Sequence, residues 1–335
     1  MYLAELPTPA LVFDEGGLQY NLSTMAAALP GRRLRPHVKA HKCTKLAARQ
    51  HALGHHAFTC ATPREVLGMV AAGLGDDLLL ANEVLDPSRL RALGAAQADA
   101  VITVAVDSVE TIDAAAAAGI ERCLIDVNVG LPRCGCRPEN AGRLADHARK
   151  RSIEVLGVMG YEGHLMVIAD RVEQREKLAH AIDKLLVAHR DVGGPIISSG
   201  GTGTYDLHDR VTEIQAGSYA LMDTHYAQLG LSFQQACSVV GTVISSNARF
   251  AVADVGLKAL GMDHGLPAIE ACTVWLCSDE HVTFAADGGA PQPSIGSRVH
   301  VTPAHIDPTI AMHEVAWIVR DDEVVDRWDI DLRGW

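Results

Sequence analysis

PIISSGGTGTYDLHDRVTEIQAG, residues 195–217, sets two short apolar runs around a glycine-rich turn. PIISS (195–199) and EIQAG (213–217) each have the length and composition of a buried strand. Toward the N-terminus the same kind of run recurs at EVLGVMG (154–160), CLIDVNV (123–129), VITVAV (101–106), DLLLAN (77–82), HAFTC (56–60) and LRPHV (34–38), which makes eight. Most of the gaps hold a helix and a loop. RPENAGRLADHARKRS (137–152) and ADRVEQREKLAHAIDKLLVAHRD (169–191) carry an apolar stripe on a polar helix. Asp107-Ser108, and Thr62 with Glu65, read as helix starts, and AAAAAG (114–119) as a helix end closed by glycine. Strands alternating with helices imply parallel βαβ units. An open doubly wound sheet is the alternative, but eight runs favour an α/β fold closed as a (β/α)8 TIM barrel, usually ~250 residues.

Beyond residue 232 the texture changes. SVVGTVISSNA, PAIEACTVWLC, HVTFAA, SRVHVTPA and EVAWIVRDDEVVDRWDI are β-branched and bounded by turn residues, which predicts an antiparallel β domain at the C-terminus. ALVFDE (10–15) precedes the first barrel unit and is expected to pair with that domain. The expected division is a barrel over 15–231, and a strand domain made of 1–14 with 232–335.

The composition narrows the function classes. Among 335 residues, 48% are hydrophobic and 21% charged, a globular mix. A net charge of −12 disfavours nucleic acid as a partner. No apolar run reaches the ~18 residues that span a bilayer. MYLAELPTPALVFDEGG lacks a basic n-region, so no signal peptide is read there. The eight cysteines are scattered through strand-like segments, as in a protein of the reducing cytoplasm. Cys134-Gly-Cys136 has no second close pair with which to build a zinc site.

In such a barrel the chemistry lies just past each strand. After the first run stands Lys39, in His37-Val-Lys39-Ala-His41-Lys42. A lysine ending a buried strand suits Schiff-base chemistry, and the plainer reading is a rim lysine facing water. After the fifth comes Arg133, able to donate to an anionic oxygen. After the sixth come Tyr161 and His164. After the seventh, Ser199-Gly200-Gly201-Thr202-Gly203 can turn several N–H groups on one phosphate. It is neither a Walker loop nor a GxGxxG fingerprint, which disfavours ATP and NAD. After the eighth comes Gln215-Ala-Gly217-Ser218-Tyr219. A lysine and a phosphate cradle on one barrel end point to pyridoxal 5′-phosphate. In the C-terminal part, Pro303-Ala-His305-Ile-Asp307 places two ligand types two residues apart. On a strand both would face one divalent cation, and a hydrogen-bonded loop pair is the alternative.

The segments TPALVFD, LRPHVKAHK, GYEGHLM, GGTGTYD and EIQAGSYALMD resemble fold-type III pyridoxal-phosphate enzymes. Within these the chain is similar to the D-threonine aldolase and D-serine dehydratase group, distant relatives of alanine racemase, over essentially its whole length. Ser199, where glycine is expected, and Pro132 and Cys136 depart from the pattern. The resemblance implies that Lys39 holds the cofactor as an imine, that Arg133 lies near its phenolic oxygen, and that Gly201, Thr202, Gly203 and Tyr219, with Gly217 and Ser218 beside them, bind its phosphate. It places Gln215 at the pyridine nitrogen and Tyr161 and His164 on the substrate side. It also implies a cation, Mn²⁺ foremost with Mg²⁺ or Zn²⁺ accepted, on His305 and Asp307, the His-x-Asp form of the aldolases. A homodimer is implied, each barrel mouth closed by the partner's strand domain.

The expected activity is retro-aldol cleavage of D-3-hydroxy-α-amino acids, such as D-threonine or D-allo-threonine, to glycine and an aldehyde. The alternative is a D-serine or D-3-hydroxyaspartate dehydratase with the same cofactor and metal. A non-catalytic cofactor-binding protein would lack the C-terminal domain, and a racemase needs bases on both faces of Cα. The remaining histidines are expected on the surface or in packing, and Lys258 has no assigned role.

Overall fold

The computed structural model describes residues 1–335 and divides into two compact units. One comprises residues 1–24, 40–43 and 218–331, and the other residues 25–39, 44–217 and 332–335. In chain order the strands are β1 (Ala10–Asp14), β2 (Ala57–Cys60), β3 (Asp77–Leu80), β4 (Ile102–Val106), β5 (Arg122–Asp126), β6 (Glu154–Met159), β7 (Ile196–Ser199), β8 (Glu213–Ile214), β9 (Cys237–Ser246), β10 (Ala251–Ala253), β11 (Cys272–Cys277), β12 (Val282–Ala286), β13 (Arg298–Val301), β14 (Val315–Arg320) and β15 (Glu323–Asp329).

In the larger unit β2 to β8 pair in sequence order, all parallel. Residues 34–37 close the ring. Arg35 N–H donates to Ile214 O at 2.9 Å, His37 N–H to Ala216 O at 3.0 Å, and Thr59 N–H to Pro36 O at 2.9 Å. Pro36 has no N–H to donate, so this eighth stave is held by single bridges and never becomes a regular strand. The barrel is therefore complete, though only seven of its staves are regular strands. Residues 200–212, between β7 and β8, are turn and loop and hold no helix.

Local signals start the helices where expected. Thr62 and Ser108 accept backbone N–H bonds as N-caps, and the helix Arg171–Val192 begins on Asp170, whose carboxylate accepts from Val172 and Glu173. Leu79, Ala105, Leu124 and Met159 pack as one buried cluster across four neighbouring strands. At the N-terminal ends of the staves Arg35 is sealed in. Its Nε lies 2.8 Å from Glu213, and its two terminal nitrogens lie 2.9 and 3.1 Å from the two Asp77 oxygens. Burial opposes the charge, but the two carboxylates outweigh it and keep the guanidinium protonated.

In the smaller unit β1 runs antiparallel to β9 and parallel to β14, so ALVFDE does pair with the C-terminal strands. The sheet is mostly antiparallel, with this one parallel ladder. Phe13, fully buried, meets Trp328 edge to face at 6.4 Å. Two segments depart from expectation. The strand in PAIEACTVWLC begins only at Cys272, and after β13 the chain enters a short helix, Ile306–Met312.

Candidate functional site

Because all barrel staves are parallel, their C-terminal ends share one face. Lys39 follows the closing stave in a 3-10 turn, Val38–Ala40, and is half-buried. Arg133, Tyr161, His164, Gly201, Thr202, Gly203, Gln215 and Gly217 follow later staves on the same face. Arg133 is exposed, its guanidinium carbon 5.3 Å from the Tyr161 ring centroid. His164 sits against Gly130: a Cβ there would lie 2.8 Å from the imidazole, and φ is 145°. Local desolvation lowers the His164 pKa from the usual imidazole value, against the raising charge of Glu162.

Beneath the glycine-rich turn lies a group that sequence reasoning missed. Glu162 is fully buried. It accepts from Ser199 Oγ at 2.8 Å, Thr204 Oγ1 at 2.9 Å and Gly200 N–H at 3.2 Å, with His208 Nε2 at 2.9 Å. Burial works against its charge, yet the His208 bond and the other donors hold the carboxyl below the usual range. Ser199, which departed from the expected glycine, therefore pins the turn through its hydroxyl, which also reaches Gly160 O at 2.7 Å. The turn itself is tight: a Cβ on Gly203 would lie 1.9 Å from Met166 O. Gly203 and Gly217 are buried, and their N–H groups meet no acceptor within the chain. Two such donors fit a phosphate. Gln215 is oriented by a relay: its Nε2 donates to Ser198 Oγ at 2.8 Å, and Ser198 donates to Glu213 at 2.7 Å.

A second unpredicted group joins Asp126, at the end of β5, to Glu83. The two carboxyls are neighbours, and burial, then the charge of Glu83, drives Asp126 well above the usual carboxylate range. Cys134 and Cys136 lie nearby. Burial pushes their thiols to about 11 and about 12, so neither offers a thiolate at neutral pH.

Ser218, Tyr219, His305 and Asp307 belong to the smaller unit. Tyr219 is fully buried, its ring tilted on Phe233 at 5.7 Å. The strand geometry expected for His305 and Asp307 is corrected here. His305 is the N-cap of the helix Ile306–Met312, and Asp307 lies in its first turn. Helix entry turns the two side chains toward one another: His305 Nε2 stands 4.0 Å from Asp307 Oδ1. The other ring nitrogen, Nδ1, is 2.7 Å from Asp263 Oδ2. A carboxylate there fixes the tautomer and turns Nε2 outward, as for many metal-bound histidines. His264, exposed, stacks on His305 at 4.0 Å, and His225 tilts on His264 at 4.1 Å. Asp223 ties the cluster to the backbone by accepting from Ile306 N–H at 3.1 Å. An imidazole and a carboxylate, those of His305 and Asp307, suit a borderline divalent cation. In the sequence the only signal for Asp263 and His264 is their adjacency. Lys258 is an exposed partner of Glu280 and Asp279.

Comparison with known proteins adds to this geometry. The model of the alanine racemase N-terminal domain matches residues 13–225, and that of a putative serine dehydratase domain matches residues 236–319. D-threonine aldolase of Arthrobacter sp. is 34% identical over 99% of this chain and 94% of its own. D-threo-3-hydroxyaspartate dehydratase of Delftia sp. (strain HT23) is 28% identical over 99% of each chain. The crystal structure of D-threonine aldolase from Filomicrobium marinum superposes with a TM-score of 0.93 at 33% identity, covering 99% of this chain and 96% of that one.

Proposed function

The chain belongs to the alanine racemase family in its N-terminal domain, with a serine dehydratase-type domain behind it, and from that premise we propose a carbon–carbon lyase that cleaves D-3-hydroxy-α-amino acids. D-threonine or D-allo-threonine would give glycine and acetaldehyde. The observation that carries this reading is His305, held by Asp263 on one nitrogen and facing Asp307 with the other. A retro-aldol step needs the β-hydroxyl deprotonated, and a hard-to-borderline cation on an imidazole and a carboxylate favours that.

Pyridoxal phosphate, when bound, supplies an electron sink for the pair left on Cα, and the cation supplies Lewis acidity at the β-oxygen. The chain's residues do the rest. The Lys39 amine is the attachment point. Gly201, Thr202, Gly203, Gly217, Ser218 and Tyr219 hold the phosphate, the Gly203 and Gly217 N–H groups being donors with no partner in the chain. Arg133 faces the phenolic oxygen. The Ser198 relay holds Gln215 so that an amide, with no full charge, meets the ring nitrogen. Tyr161 borders the substrate. His164 accepts the β-hydroxyl proton, a role its lowered pKa suits, since the ring is then neutral near pH 7. Mn²⁺ is the proposed ion, a homodimer the working form and the cytoplasm the location. Ligand hardness supports the first, the fold-type III resemblance the second and the scattered cysteines the third.

The test separates the aldolase from the dehydratase reading. The protein is incubated with D-threonine and with D-serine, and glycine, acetaldehyde, pyruvate and ammonia are assayed. Glycine with acetaldehyde is expected, and it should vanish in Asp307→Ala while Lys39 still takes a borohydride-trapped cofactor. Pyruvate and ammonia from D-serine as the main products would favour the dehydratase.

A further inference from the structure

We propose that His51, His56 and Asp76 form a second divalent-cation site, at the opposite end of the barrel from Lys39. The fold builds it from the register of two strands. Ala57 and Asp77 are Cα partners in the parallel pair β2–β3, so His56 and Asp76, one residue earlier, stand side by side where those strands begin. His51 lies in the last turn of the helix Thr44–Ala52. The chain then reverses: Gly54 N–H donates to His51 O at 2.9 Å, and Gly54 adopts φ 96°, a left-handed conformation natural to glycine. His55 anchors the return, its Nδ1 3.1 Å from Gly31 O. The His51 and His56 rings therefore meet edge to face at 4.2 Å.

Three ligand atoms converge. His56 Nδ1 is 2.8 Å from His51 Nε2, His51 Nε2 is 3.1 Å from Asp76 Oδ2, and His56 Nδ1 is 3.5 Å from Asp76 Oδ2. A cation with bonds of about 2.0–2.2 Å and angles between octahedral and tetrahedral separates neighbouring ligand atoms by about 2.8–3.6 Å. All three edges fall in that range. Without a cation the triangle is poorly served by protons. A single N–H on His51 Nε2 has to be shared between His56 Nδ1 and Asp76 Oδ2, and two N–H groups on the facing nitrogens would meet at 2.8 Å. A cation satisfies all three atoms at once.

Two imidazoles and one carboxylate suit Zn²⁺, with Ni²⁺ and Co²⁺ as further candidates, and surface exposure leaves a coordination position to water. The site lies wholly within the barrel unit, whereas the His305 cluster lies in the other. The reaction proposed above makes no use of it. Its effect is to fasten the end of the helix Thr44–Ala52 to the starts of β2 and β3, so an ion bound there stabilises the folded barrel by mass action.

The experiment uses the full chain with Zn²⁺ as the probe. A His305→Ala/Asp307→Ala variant removes the other cluster. After chelation and dialysis against Zn²⁺, it should retain one ion per chain by elemental analysis, and its unfolding temperature should rise with Zn²⁺. Adding His56→Ala should remove both the ion and the rise, and Asp76→Asn should weaken binding at least tenfold. A double variant that binds no Zn²⁺, or a His56→Ala addition that leaves stoichiometry and melting shift unchanged, would overturn the proposal. His56→Ala alone should keep its turnover of D-threonine, which distinguishes this site from the reacting one.

Discussion

Replacing His208 with alanine should cost about 3–4 kcal/mol of folding stability at neutral pH and much less in acid. Removing the partner of a buried, hydrogen-bonded carboxylate typically costs about 3–5 kcal/mol. Glu162 keeps three donors, on Ser199, Thr204 and Gly200, but loses the ring against which its carboxylate is sealed, and both side chains are at most 1% exposed. The carboxylate has one escape, protonation. For an ordinary glutamate pKa near 4.3, that costs about 1.36 kcal/mol per pH unit, or about 3.7 kcal/mol at pH 7, and this caps the loss. The pH sign follows. In the native chain the Glu162 pKa is lowered, so its contribution is present above the unfolded value and is lost as pH falls through the folded one. In the variant the folded pKa is raised, so stability should fall as pH rises above about 4.3. Urea unfolding followed by circular dichroism at pH 5 and pH 7.5 measures both. A loss under about 1 kcal/mol, or one equal at the two pH values, would refute the idea that the pair carries the turn.

Three further outcomes follow from the same barrel end. Asp126→Asn should flatten the fall of stability with rising pH above about 4, because a carboxyl with a raised folded pKa loses stability through that window; melting temperatures at pH 5 and pH 8 measure it. Gly130→Ala should displace the His164 ring and cut kcat at least about tenfold while the chain stays folded, since the strain at a positive φ is only about 1–3 kcal/mol. The acid limb of kcat/KM should lie below about 6.5, because His164 is shifted below the usual imidazole value; a limb above 7 would remove it as the base.

What was legible in the sequence was periodic or local. Eight apolar runs announced the barrel, and the capping residues Thr62 and Ser108 announced their helices, because both signals are written within a few neighbouring residues. The first run could be recognised as a stave although Pro36 keeps it from becoming a regular strand. The stretch before His305 has the pattern of a strand, but β13 ends at Val301 and the chain turns into a helix at Ile306, a change of period within four residues. Glu162 with His208, Asp126 with Glu83, and His305 with His264 and Asp263 were invisible for another reason. Each pair joins residues 40 or more apart, and their meeting depends on packing that no local pattern encodes.

The two buried acids of the barrel end show what that packing achieves. Glu162 follows β6 and Asp126 ends the neighbouring stave β5, and burial alone would push both pKa values up. Glu162 meets four donors, which hold its pKa down; Asp126 meets a second acid, Glu83, and the charge of Asp107, which with burial drive its pKa well up. The difference bears on Arg133, the cation acting on Asp126. An ionised Asp126 would compete for that guanidinium. A protonated one leaves Arg133, exposed and resting over Tyr161, with its charge available to an anionic oxygen from outside the chain. By favouring the neutral form of Asp126, Glu83 thus leaves the arginine's charge available without touching whatever it binds. It also explains why Asp126→Asn, which fixes the neutral state, should spare activity while it flattens the pH dependence of stability.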